Sequence, residues 1–159
     1  MKGDAEVIRY LNLVLKNELT AINQYFLHSR MLKDWGIAHL AAKAYAESIE
    51  EMQHADKLMQ RIFFLGGLPN LQELGKLLIG ETPRETLECD LKLEEMAIPD
   101  LRDAIVHCEK VRDFVSRDLF TSILDDEEEH VDWLETQFKM IENMGIQNYI
   151  ELQSKPADD

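Results

Sequence analysis

The chain has 159 residues, 45% of them hydrophobic, and a formal net charge of −14. That length suits one domain, spanning 1–159, with one sizeable core, and the acidic balance argues against nucleic acid as a direct partner while favouring cations. No apolar run approaches the length of a bilayer span and Met1-Lys2-Gly3-Asp4 carries no apolar signal region, so a cytoplasmic protein without membrane contact is expected.

Apolar residues recur at spacings of three and four through most of the chain, the helical signature. Asp4 is placed to cap a first helix over about 5–34, and Trp35-Gly36 reads as a tight break. A second helix over about 37–65 ends at Gly66-Gly67 with Pro69 just beyond. Residues 68–81 form a long connection. Thr82-Pro83-Arg84-Glu85 then reads as a capping box with proline at the first helical position. A third helix covers about 83–111, with Pro99 expected to kink it, and a fourth about 113–143. Residues 146–152 suit a short fifth helix, and the tail from Ser154 to Asp159 reads as loose. Cys89 and Cys108, 19 residues apart on one helix, lie roughly 28 Å apart, so both thiols are expected to be free.

Short turns make helices one and two, and helices three and four, antiparallel neighbours. The long link spans the bundle, since each helix is roughly 40–45 Å long at 1.5 Å per residue. The fold class is therefore all-α: a four-helix bundle with a long crossover and a short fifth C-terminal helix.

Each inward stripe is mostly apolar and carries one glutamate near its middle: Glu18, Glu51, Glu94 and Glu127. An ionised carboxylate away from water must be paired, protonated or bound to metal. Two of the four belong to Glu-x-x-His, Glu51 with His54 and Glu127 with His130, a spacing that puts both side chains on one helix face. Glu51 follows Glu18 by 33 residues and Glu127 follows Glu94 by 33; a shift of 76 turns Glu18, Glu51 and His54 into Glu94, Glu127 and His130. Mixed carboxylate and imidazole ligands of this kind suit two iron or manganese ions. Tyr25 lies two turns from Glu18 on the same stripe and is a candidate to hydrogen-bond a ligand or donate an electron, as well as an ordinary core tyrosine; Trp133 is expected near the site too. His28, His39 and His107 read as structural or surface residues.

The chain resembles the bacterioferritins over essentially its whole length. The resemblance rests on MKGD at the start, NELTAINQYFLHSRM around Glu18, ESIEEMQHADKL around Glu51 and His54, FLGGLPNLQELGKLLIGE in the crossover and LDDEEEHVDWLE around His130. It implies a ferritin-like bundle and a homo-oligomeric shell of about 24 subunits. It implies a ferroxidase that oxidises Fe(II) with dioxygen or hydrogen peroxide at a di-iron centre held by Glu18, Glu51, His54, Glu94, Glu127 and His130, with Glu51 and Glu127 bridging. It also implies haem b shared between two subunits, ligated by Met52 from each, and a small ferredoxin as the reductant for iron release. Met52 follows Glu51 and so points about 100° round the helix, away from the core, with Leu19, Phe26 and Tyr45 on the same outer surface. One departure is Ala46 and Glu50, where many members have histidine and aspartate at an extra inner-surface iron site. Two other readings keep the bundle: a rubrerythrin-like peroxidase or manganese catalase, and a non-catalytic metal-buffer assembly. No Cys-x-x-Cys pair of the kind rubrerythrins usually carry is present.

Overall fold

The computed structural model describes residues 1–156. It has five helices in the order α1 (Ala5–Asp34), α2 (Ala38–Phe64), α3 (Pro83–Val111), α4 (Phe114–Met144) and α5 (Ile146–Gln153), with no strand among the described residues. No helix there is long and apolar enough to cross a membrane. The part of the tail beyond residue 156 lies outside the described residues. α3 runs unbroken through Pro99.

The helix ends follow their side chains. The Asp4 carboxylate accepts the Glu6 and Val7 N–H groups, and the Thr82 hydroxyl accepts that of Glu85. The return arm of the capping box differs from the expected one, since the Glu85 carboxylate accepts the N–H of Glu81 at 2.8 Å. α1, α2 and α3 close in one way. The N–H groups of Ile37, Gly67 and Asp113 reach back to the carbonyls of Leu32, Ile62 and Cys108, each at 2.9 Å. This closure needs a left-handed residue one position earlier. Gly36 and Gly66 supply it, but the third is Arg112, at φ 64°.

α1 packs chiefly against α2, α3 against α4, and α1 also against α3. Two large apolar cores result, with a small third cluster of Ala21, Tyr25 and Leu93. One gathers Val7, Leu11, Leu58, Ile62, Leu101 and Phe120; the other gathers Leu32, Leu40, Leu87, Leu134, Ile141 and Tyr149 of α5. Each large side chain fully buried there contributes about 1.5–3 kcal/mol. The Tyr149 hydroxyl donates to Gln137 at 2.7 Å and fastens α5 to α4. The mid-bundle glutamates lie between the two cores.

The crossover from α2 to α3 has no helix or strand of its own. Instead, one face of α1 satisfies its backbone. Asn12 accepts the N–H of Asn70 at 2.8 Å, Thr20 that of Gly75 at 2.8 Å, Gln24 that of Leu78 at 2.9 Å and His28 that of Gly80 at 3.0 Å. Gln24 and His28 also bond Asp90 of α3, at 2.9 and 2.8 Å. His28 is completely buried. Its role is structural, as expected, although it has an acidic partner that no local spacing announces. His107 likewise meets Asp4 at 2.9 Å, and His39 is exposed. Cys89 and Cys108 are free thiols.

Candidate metal centre

All four helices deliver their central carboxylate to one place. Glu18 from α1, Glu51 from α2, Glu94 from α3 and Glu127 from α4 are at most 3% exposed, and His54 and His130 at most 5%. Ligand atoms fall into two overlapping groups, each within 4.8 Å: Glu18, Glu51, His54 and Glu127, and then Glu94, Glu127 and His130. Glu127 belongs to both and Glu51 to one. His54 Nδ1 stands 3.5 Å from Glu18, 3.4 Å from Glu51 and 3.4 Å from Glu127. His130 Nδ1 stands 3.2 Å from Glu94.

Three buried carboxylate oxygens, Glu18 Oε2, Glu94 Oε2 and Glu127 Oε1, have no hydrogen-bond partner. Leaving such groups unsatisfied costs several kcal/mol unless a cation or proton meets them. With no metal the protons answer. Burial drives the Glu127 carboxyl far above the usual range, reinforced by the Glu51 and Glu94 charges. Burial also raises Glu51. For Glu94 burial is outweighed by hydrogen bonds from Glu127, His130 and Tyr25, and the carboxyl is lowered. Burial opposes charge on His54, yet Glu51 and Asp126 prevail and lift it from 6.5 to about 9. Burial opposes charge on His130 as well, and Glu94, Glu47 and Asp90 lift it to about 9. Two divalent cations supply the same compensation, four positive charges for four carboxylates, and the carboxylate–imidazole donor set suits iron or manganese.

Residues around the centre orient it. His54 Nε2 lies 2.7 Å from Asp126 of α4. That contact directs Nδ1 toward the carboxylates and sets the tautomer when the ring is neutral. Asp126 also groups with Glu50 and His54 in a smaller acidic cluster, beside the exposed Ala46. Tyr25 is 1% exposed and its hydroxyl donates to Glu94. Burial, then the charges of Glu94, Asp90 and Glu127, push its pKa well up, so it stays a phenol. Trp133 stacks on the His130 ring with centroids 6.1 Å apart, and Lys43 lies 4.9 Å above the indole. Lys43 in turn pairs at 2.8 Å with Glu47, whose other oxygen is 3.7 Å from His130.

Thus the six residues expected as ligands converge, and Tyr25 joins them. Met52 stands apart on the outer face of α2, 53% exposed. Phe26 of α1 and Tyr45 of α2 lie near each other on that face, rings 6.3 Å apart. The residues that spacing missed are Asp126, Glu47 and Asp90. Asp126 sits inside the acidic run Asp125–Glu129, where nothing local marks it out from its neighbours.

The sequence matches the Ferritin family, described as a ferritin-like domain, over residues 8–144. It is similar to the bacterioferritin of Rhodobacter capsulatus, 53% identical over 158 residues that cover 99% of this chain and 98% of that one. The bacterioferritin of Brucella melitensis is 48% identical, covering 100% of this chain and 99% of its own. A Mycobacterium tuberculosis bacterioferritin is 48% identical over 94% of each.

Proposed function

The chain belongs to the bacterioferritins, and on that footing we propose that it stores iron and oxidises Fe(II) at the buried centre, with Glu18, Glu51, His54, Glu94, Glu127 and His130 as ligands. One observation carries the site assignment. Three glutamates from three helices line one small cavity and leave buried carboxylate oxygens there without a hydrogen-bond partner, an arrangement that a protein keeps at a cost in stability unless a cation uses it.

Iron is the substrate here. Two Fe(II) ions each lose one electron. Dioxygen takes the two electrons with two protons and leaves as hydrogen peroxide; peroxide, taking two more with two protons, becomes two waters. The chain's own groups set the conditions. Carboxylates stabilise the more highly charged Fe(III) product over Fe(II). Asp126 holds His54 with Nδ1 inward, and Tyr25 orients Glu94 through its hydroxyl. Tyr25 is also the buried phenol nearest the site and suits donation of an electron when only one iron is bound.

Haem b is the second cofactor of this reading. Met52 offers an accessible thioether beside an exposed aromatic pair, Phe26 and Tyr45, a surface that fits a flat apolar macrocycle shared with a second copy. Met52 of each copy would hold the haem, which would supply one-electron chemistry when bound. The reading is completed by a cytoplasmic 24-subunit shell that encloses the ferric product and by a small ferredoxin that returns electrons for release.

The test of the centre is Glu94→Ala. Stopped-flow mixing with Fe(II) and oxygen is expected to show the fast oxidation phase slowed by at least about 100-fold, with helical circular dichroism retained. Oxidation at the unaltered rate removes Glu94 from the site.

A further inference from the structure

Asp90 is a buried acid outside the ligand set. It lies on α3 one turn before Glu94 and is 7% exposed, and residues at that spacing share a helix face. Its Oδ1 accepts two hydrogen bonds, from the Gln24 amide at 2.9 Å and from His28 Nδ1 at 2.8 Å. Both donors are fixed from their other ends. The Leu78 N–H donates to the Gln24 side-chain oxygen, and the Gly80 N–H donates to His28 Nε2. The imidazole therefore carries its one proton on Nδ1 and is neutral.

Two neutral donors thus hold Asp90, and no lysine or arginine pairs with it among the described residues. A carboxylate taken out of water is costly unless an opposite charge meets it. On its other side Asp90 shares the wall of a cavity with Tyr25 and His130. That cavity measures about 10 Å³, room for one water at most. No counter-ion fits between Asp90 and His130, and buried charges are screened far less than exposed ones. The lysine on the same wall, Lys43, is engaged by Glu47 at 2.8 Å. The metal seat on this side is the one that groups His130 with Glu94 and Glu127 alone, where the other draws on four side chains.

We propose that Asp90 is a positioning residue for the ion held by Glu94, Glu127 and His130. Its fixed negative charge stabilises a cation at that three-residue seat from outside the ligand set, and stabilises Fe(III) there more than Fe(II). The proposal rests on the ferroxidase reading above. It also ties the crossover to the centre: the N–H groups of Leu78 and Gly80 settle which way Gln24 and His28 donate, and so keep Asp90 ionised.

Asp90→Asn keeps the oxygen that accepts both bonds and removes only the charge. Calorimetric titration of the metal-free protein with Co(II) is expected to show one of the two ions bound at least about tenfold more weakly in the variant, and the other changed far less. The reduction potential of the iron-loaded centre is expected to rise, a shift that scaffolding alone would not cause. A crystal structure of the variant should keep the Gln24 and His28 bonds to residue 90. Asp90→Ser, whose hydroxyl also accepts, repeats both measurements should the amide variant not fold. Two Co(II) ions bound at unaltered strength, or an unmoved potential, overturns the proposal. So does equal weakening of both ions with the bonds at residue 90 lost, which marks Asp90 as scaffolding. Failure of the unaltered protein to bind two Co(II) would instead sink the metal-site assignment itself, and this proposal with it.

Discussion

Glu127 and the two imidazoles are where the centre stores protons when it lacks metal. Their folded pKa values are raised, His54 and His130 from 6.5 to about 9. A group with a raised folded value adds stability that is complete below its unfolded value and is lost as pH climbs through the folded one. Glu51 and Glu127, raised from 4.5, act in the same direction; Glu94, lowered, acts oppositely and only in acid. The melting temperature of the metal-free protein is therefore expected to fall between pH 6.5 and 9, and Co(II) should flatten that slope while releasing protons as it binds at pH 7. Scanning calorimetry and an indicator dye measure the two effects; a metal-free Tm that holds or rises over that range contradicts the burial-driven protonation. The six candidate ligands were legible in the sequence because each obeys a rule internal to its helix: an apolar stripe interrupted by one acid, and an i, i+3 histidine. Asp126, Glu47 and Asp90 were not, because their partners or target groups lie on other helices at separations no periodicity encodes.

At the level of elements, helix limits were readable to within about a residue, since capping and left-handed termination depend on side chains close in sequence. Pro99 was the exception in emphasis: it sits within α3 without ending it. The crossover was visible only as a gap in periodicity. Its anchoring by Asn12, Thr20, Gln24 and His28 depends on the path of the strap over α1, and that path is a tertiary fact. The α3–α4 turn offers a direct test of the local rules. Arg112 is exposed and occupies a conformation that costs a side-chain-bearing residue about 1–2 kcal/mol, against an entropic penalty for glycine of about 0.5–1 kcal/mol. Arg112→Gly is expected to raise Tm by about 1–3 °C. A fall on thermal melting shows that the guanidinium contributes more than the backbone saves.

For the whole molecule, the apolar outer face of α1 and α2 is a prediction about assembly. Tyr45 and Met52 lie two turns apart on α2, as Leu19 and Phe26 do on α1, so the face is a continuous stripe that a second copy and a haem would cover together. Met52→Leu is expected to abolish the Soret band of protein grown with ample haem while light scattering still reports the large shell; a Soret band of undiminished height places the haem elsewhere. The molecule also carries its ligand pattern twice, once in each hairpin, and the copies are not equal. The shift of 76 that pairs Glu51 with Glu127 sets Tyr25 opposite Leu101 and Glu47 opposite Ile123, and it is Glu127 alone that belongs to both ligand groups. One seat draws on four side chains and the other on three. A pair of ions there would meet unequal donor sets, the poorer one beside the phenol and the indole.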